Sequence, residues 1–189
     1  DRVGRVRHVK REIDAGEVRR EEILRFWQKI ESGEIPKRVA HNDTKISNIL
    51  FDKHTKNPLC VIDLDTVMTS TSLYDFGDAI RSYTNTGKED DNNLDNVSMD
   101  LERFRAFAEG YLSEQKSLNS IELQWLAFSA RYITYEQALR FLMDYINGDT
   151  YYKIAFPEHN LIRTCAQLHL LESMEEQYDA MCAIILELS

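Results

Sequence analysis

The sequence predicts a mainly α-helical domain that carries one small β-hairpin, an α+β arrangement with the strands early and the helices after them. Two short apolar runs, NILFD at 48–52 and LCVID at 59–63, flank the turn-forming KHTKNP. Beyond about Leu73 the apolar residues recur at helical intervals, with no further strand-like run.

Taken in order, EVRREEILRFWQKIE at 17–31 places Ile23, Leu24, Trp27 and Ile30 on one helical face, and Gly33 and Pro36 end it. RVAH is a short extended piece before the hairpin. NTGKEDDNNLDN at 85–96 is polar and acidic, and reads as a mobile surface loop between helices. A helix follows from about Ser98 to Gln115. The next, from about Ser120 to Asn147, has Phe128, Tyr132, Tyr135, Leu139, Leu142 and Ile146 stepping by four and three, a core-facing stripe. NGD at 147–149 ends it through glycine. A last helix runs from about Glu158 to Leu188 with Leu161, Leu168, Leu171, Met174 and Tyr178 inward. The chain reads as a single domain, residues 1–189.

The 189 residues carry a net charge of −9, with a pI near 5.1. An acidic surface repels phosphate backbones, so nucleic acid is excluded as a general partner; only DRVGRVRHVKR at the start leans basic. Cys60, Cys165 and Cys182 are widely spaced without a CxxC, which argues for reduced thiols in the cytoplasm rather than a disulfide frame or zinc site. No apolar run approaches the roughly 18 residues that span a bilayer, so no membrane partner is expected.

The chemistry concentrates in AHNDTKISNILFD at 40–52. His41, Asn42 and Asp43 are followed by Lys45 and Asn48, and Asp63 ends the second apolar run. A hairpin brings the start of one strand and the end of the other to one edge, so Asn48 and Asp63 face one site. Phosphoryl transfer needs such a set: a carboxylate to take the acceptor proton, oxygen ligands for Mg²⁺ and positive charge for the phosphoryl group. Asp43 suits the base, Asn48 and Asp63 the metal ligands, and Lys45 a γ-phosphate contact.

The pattern H-x-D-x-K-x-x-N with a later strand-end Asp resembles the protein-kinase catalytic loop and its metal-binding Asp. The wider context is similar to the aminoglycoside phosphotransferase and choline kinase superfamily, whose loop usually reads H-G-D-x-x-x-x-N, followed by I-D-[FWY]-[DE]. Here Asn42 stands in place of the Gly, and the metal motif is IDLD. HNDTK and RFLMDYINGDTYYK resemble the N-acetylhexosamine 1-kinase branch. The resemblance covers residues 38–155 and implies the C-terminal lobe of a protein-kinase-like fold that uses ATP and Mg²⁺.

Carried over by residue, it makes Asp43 the base, Asn48 and Asp63 the metal ligands, and His41 a brace of the loop. Asp65 becomes a second metal-site acid, with a capping or surface role as the alternative. Asp75, in LYDFGDAIR, becomes the anchor of the loop backbone. For the acceptor, Arg140 and Asp144 lie one helical turn apart. They read either as a surface ion pair or as hydrogen-bonding groups for sugar hydroxyls and an N-acetyl carbonyl. Tyr151 or Tyr152 stacks on a sugar face or anchors packing, and Asp149 stays undecided. The implied acceptor is a neutral sugar phosphorylated at its anomeric hydroxyl.

An ATP site of this kind also needs a β-rich lobe with a phosphate-covering loop and a Lys for the α/β-phosphates. Neither a Gly-rich loop nor a V-A-I-K-like run occurs. The chain is therefore expected to be one lobe of a longer protein, its N-terminal lobe serving as partner. Three alternatives stand beside this reading. One is a choline or aminoglycoside kinase of the same superfamily, and another a non-catalytic pseudokinase-like module. The third is a haloacid-dehalogenase-type phosphatase, because CVIDLDTVMTS resembles its first motif, with Asp63 as nucleophile and Asp65 as acid/base. That last fold requires a parallel sheet built from alternating strands and helices.

Overall fold

The structure, a computed structural model, describes residues 3–189. Its elements, in order, are α1 (Lys10–Glu17), α2 (Arg20–Glu31), β1 (Arg38–Ala40), β2 (Ile49–Phe51), β3 (Pro58–Val61), β4 (Met68–Ser70), α3 (Ser72–Tyr83), α4 (Leu101–Glu114), α5 (Ser120–Asn147), α6 (His159–Glu176) and α7 (Tyr178–Leu188). The result is a helical body with strands on one side, the expected α+β class.

Helix α5 is the axis of the body. A reciprocal capping box starts it: Asn119 Oδ1 accepts from the Glu122 amide at 2.8 Å, and Glu122 Oε2 accepts from the Asn119 amide at 2.9 Å. Gly148 ends it with φ 97°, a left-handed turn that glycine adopts without cost. Helices α3 and α6 pack along it, and Phe26 of α2, Phe76, Phe104 of α4, Phe128 and Leu170 are fully enclosed in the shared core. Burial of such side chains gives about 2–3 kcal/mol each, the main reason the helices assemble.

Two helix expectations are corrected. The helix read over 17–31 forms as the single helix α2 from Arg20, but a separate helix, α1, precedes it, and at the step between them the Arg19 side chain turns to Glu175 with hydrogen bonds of 2.7 Å. The inward face of α2 is Phe26 and Ile30, not Leu24 and Trp27, which are 41% and 45% exposed. Phe26 wins because its ring meets Trp125, Phe128 and Tyr132 at centroid distances of 5.6, 5.4 and 4.8 Å. The helix read over 158–188 also divides. At the junction Gln177 Nε2 donates to the Met99 carbonyl at 2.8 Å, tying the break to the segment before α4.

The hairpin forms as read, with Ile49 opposite Val61 and Leu50 opposite Cys60 in antiparallel pairing. A second antiparallel pair went unforeseen: β1 lies against β4, Arg38 opposite Ser70 and Ala40 opposite Met68. Three-residue strands carry too little periodicity to announce themselves. Every strand pair among the described residues is antiparallel, so the parallel sheet of a haloacid-dehalogenase phosphatase has no counterpart here. Residues 85–96 hold no α-helix, yet they are tied to the body. Arg81 Nη1 donates to Glu89 at 2.9 Å, and His159 Nε2 meets Asp90 at 3.0 Å. His159 Nδ1 accepts from the Ala155 amide, so Nε2 carries the proton toward Asp90. The three cysteines are free, and no described helix is long and apolar enough to cross a membrane.

Candidate active site

Residues 41–48 link β1 to β2, and two carboxylates of α3 hold them from below. Asp75 accepts from the His41 amide through Oδ2 at 2.8 Å and from the Asn42 amide through Oδ1 at 2.7 Å. Asp78 accepts from the Thr44 amide at 2.7 Å. The neighbouring Thr44 groups are also engaged: its hydroxyl donates to the Asp75 carbonyl at 2.8 Å, and its carbonyl accepts from Tyr83 Oη at 2.7 Å. Burial, with a further push from Asp78, raises the Tyr83 phenol to about 12, so it stays protonated and remains a donor. Asp78 was not singled out from the sequence. Its signal was the i,i+3 spacing to Asp75, which puts both on one helical face.

Asn42 explains the departure from H-G-D. Its φ is 62°, the left-handed region that glycine occupies freely and asparagine tolerates. Asparagine adds what glycine cannot, since its Nδ2 donates to the carbonyls of Ala40 at 3.2 Å and Thr66 at 3.0 Å. His41 Nε2 lies 3.1 Å from the Ile62 carbonyl, which can only accept, so that nitrogen carries the proton and Nδ1 is left buried without a partner. The ring thereby joins the loop to the residue before Asp63.

Around Asp43 the polar groups converge. Lys45 Nζ donates to Asp43 Oδ2 at 2.7 Å, and Asn48 Nδ2 donates to the same oxygen at 2.9 Å. Burial pushes the Asp43 carboxyl up, but the hydrogen bonds from Lys45 and Asn48 and the lysine charge outweigh it and hold it below its ordinary value. Lys45 is raised in turn, chiefly by its bond to Asp43. These groups line a cavity of about 280 Å³ together with Asp75, Tyr83 and Tyr111.

Across the hairpin, the Ile62 amide donates to the Asn48 carbonyl at 2.9 Å, so Asn48 and Asp63 sit at one end of the strand pair. Asp63 has φ 63° and ψ 54°, a left-handed conformation unusual for an aspartate, and it is exposed. No group of three His, Cys, Asp or Glu side chains able to hold a metal occurs among the described residues. The donors that do fit Mg²⁺ are hard oxygens: the Asp63 carboxylate, and Asn48 Oδ1, which stays available because the amide nitrogen is spent on Asp43. Asp65 lies exposed in the 3-10 turn Leu64–Thr66.

The acceptor candidates divide. Asp144 is corrected as a surface ion pair: it is buried, and no pair with Arg140 forms among the described residues. It is 5% exposed and accepts from the amides of Thr150, Tyr151 and Tyr152 at 2.8, 2.8 and 2.9 Å, and from Asn160 Nδ2 at 2.9 Å. Burial raises its carboxyl, but these donors together lower it. It shapes the tyrosine turn and also lines the cleft that Arg140 lines. Asp149 is likewise engaged, by Arg5 and Asn160. Arg140 is exposed, its guanidinium 6.0 Å from the Tyr151 ring centre and 5.7 Å from that of Tyr152. Tyr151 is 74% exposed, whereas Tyr152 packs on Phe141 at 4.7 Å. Arg140, Tyr151 and Tyr152 line a cleft of about 580 Å³ with Tyr132 and Glu136.

A family model described as "Phosphotransferase enzyme family" matches residues 2–115, more than half of the chain. The match takes in the 41–48 loop, the hairpin and α3, and it stops before α5.

Proposed function

The chain belongs to the phosphotransferase enzyme family, and from that premise we propose that it transfers the γ-phosphoryl group of ATP to a small-molecule hydroxyl, with Asp43 as the base. The observation that carries this reading is the asymmetry at Asp43. Both donors fall on Oδ2, and among the described residues no group donates to Oδ1. Oδ1 is thus open to an acceptor hydroxyl, while the depressed basicity keeps the group ionised at neutral pH. Asp75 and Asp78 fix the loop backbone on either side of Asp43, which sets the direction of that oxygen.

Asn48 Oδ1 and the Asp63 carboxylate would hold Mg²⁺, which when bound supplies charge neutralisation at the β- and γ-phosphates. Lys45, charged and 42% exposed in its side chain, extends positive charge to the phosphoryl group as it leaves ATP. His41 ties the base-bearing loop to Ile62, the residue before Asp63, so the two halves of the site keep their spacing. One face of the hairpin shows an apolar ledge beside them, with Leu59 and Val61 64% and 52% exposed. That ledge suits the base of the nucleotide and a β-rich lobe outside these residues, as an apolar surface of this extent favours cover.

The acceptor reading is a sugar of the N-acetylhexosamine class, supported by Arg140 and Tyr151 facing one cleft. The test is ADP release by the whole protein over N-acetylhexosamines, choline, homoserine and aminoglycosides. Asp43→Asn is expected to lower turnover roughly 100-fold or more, the usual worth of a positioned base. Wild-type turnover in that variant overturns the assignment of Asp43.

A further inference from the structure

Arg81, the only basic residue of α3, is buried: its side chain is 11% exposed and that of its partner Asp78 12%. An exposed pair at this i,i+3 spacing would matter little, whereas a buried one holds both side chains in place. Nε and Nη2 of Arg81 both donate to Asp78 Oδ1, at 3.2 and 2.9 Å. The other oxygen of Asp78, Oδ2, accepts from the Thr44 amide at 2.7 Å. Nη1 turns the opposite way. It donates to Glu89 of the 85–96 segment at 2.9 Å and lies 3.4 Å from Oε1 of the buried Gln167 on α6. Asp75 differs, because it gives one oxygen to each of two loop amides, and the loop itself sets its plane. Asp78 gives the loop Oδ2 alone. A carboxylate held at one oxygen can still turn about its broad terminal torsion, and the two-nitrogen fork of Arg81 on Oδ1 stops that turn.

We propose that Arg81 is a positioning residue for the base: through Asp78 it fixes the Thr44 amide, and with it the direction in which Asp43 presents Oδ1. It rests on the phosphotransferase reading of Asp43. Glu89 and Gln167 hold the guanidinium from the far side, so the acidic 85–96 segment and α6 are coupled to the base through one side chain. A pair that served only to pack α3 would need a positive charge and nothing more. Here three nitrogens have separate duties, and a lysine ammonium, a point charge without a planar fork, cannot reproduce them. Direction matters because a base must lie within hydrogen-bond reach of the acceptor hydroxyl, and a misplacement of about 1 Å can cost on the order of 100-fold in rate. On this side of Asp43 the backbone has two anchors, the Thr44 carbonyl on Tyr83 and the Thr44 amide on Asp78. The second depends on Arg81.

Arg81→Lys in the whole protein tests this, because it keeps the buried positive charge and removes the fork. Three quantities are compared with wild type: Tm, steady-state ADP release with the acceptor that wild type turns over fastest, and hydrogen exchange of the Thr44 amide. The expected kcat is about tenfold lower, with KM for ATP and acceptor within about twofold. Thr44 exchange is expected to rise about tenfold, while exchange in α6 and α7 stays as in wild type. Arg81→Gln, which leaves one amide to donate to Asp78 and adds no charge, serves if Arg81→Lys fails to fold, with the same changes expected. Unchanged kcat, a loss carried wholly by KM, or unchanged Thr44 exchange in the folded variant overturns the proposal. A lower Tm with kcat and exchange unchanged would make Arg81 a packing residue, and overturns it too. If wild type releases no ADP with any of the acceptors above, the phosphotransferase reading fails. Thr44 exchange then decides by itself whether Arg81 fixes the loop.

Discussion

Lys45 has two effects at the site, and its removal separates them. Its ammonium is one of two donors on Asp43 Oδ2, at 2.7 Å. Burial alone would raise the Asp43 carboxyl above its ordinary value; the lysine bond, the Asn48 bond and the lysine charge reverse that sign. A carboxyl held low contributes stability above its unfolded pKa and loses it as pH falls through the folded one. In Lys45→Met the upward push of burial is opposed mainly by Asn48. On the proposed role of Asp43 as base, the acid limb of the kcat/KM profile is then expected to move to higher pH, with a lower plateau as the Lys45 charge is lost from the site. An acid limb at the wild-type position would show that Lys45 does not tune this carboxylate. Asn42 gives a second residue-level lesson, since a left-handed turn explains why glycine is usual there and the amide explains why asparagine serves.

At the scale of elements, α3 must approach α5 closely for Asp75 and Asp78 to reach the loop, and Gly77 between them permits it. A Cβ there would collide with the Ser129 carbonyl oxygen and lie 2.8 Å from Ile133 Cγ1. Gly77→Ala is expected to cost about 1–3 kcal/mol by overpacking, a fall in Tm on the order of 5 °C. A variant with unchanged Tm would mean that the helices slide apart freely. The β1–α5 junction is a second constraint. Glu122 is fully buried and bonded to Arg38 at 2.8 Å through both oxygens, besides closing the α5 capping box. Burial raises its carboxyl, and Arg38 with the Asn119 amide brings it below the ordinary value. Arg38→Met leaves a buried charge unpaired and is expected to destabilise by about 3 kcal/mol at neutral pH. Without Arg38 the folded carboxyl rises instead, so the loss shrinks as pH falls and Glu122 becomes neutral. Denaturant unfolding at pH 7.5 and pH 5 distinguishes this from simple loss of packing, which is independent of pH.

Across the whole molecule, the site lies where the helical body meets two thin strand pairs. The body is well enclosed, whereas the hairpin turns Leu50, Phe51, Leu59 and Val61 outward. If this ledge carries the nucleotide, ATP with Mg²⁺ is expected to slow amide hydrogen exchange at 49–51 and 58–62 in the whole protein, with little change in α6 and α7. Protection confined to the helices would place the nucleotide elsewhere. Residues 85–96 belong to this scale as well. Arg81 bonds both Asp78, which holds the loop, and Glu89, so one guanidinium links the acidic segment to the backbone next to Asp43.

Much of this was legible in the sequence because it depended on local spacing. The stripe from Phe128 to Ile146, the turn at Gly148 and the two apolar runs are short-range signals, and α5 and the hairpin form where those signals stand. The cluster from His41 to Asn48 was legible because its residue types and intervals match one kind of chemistry. Other features depended on what each residue meets across space. Phe26 rather than Trp27 faces inward because three aromatic rings from α5 receive it. The pairing of β1 with β4 joins residues too far apart in the chain for periodicity to register. Asp144 and Glu136 are both acidic residues of one helix, so composition cannot tell them apart. The turn at 150–152 folds back to donate three amides to Asp144, while no backbone amide among the described residues donates to Glu136. Local pattern fixed which elements form and where the chemistry gathers; the tertiary structure decided which charges are consumed by the backbone and which remain free for a ligand.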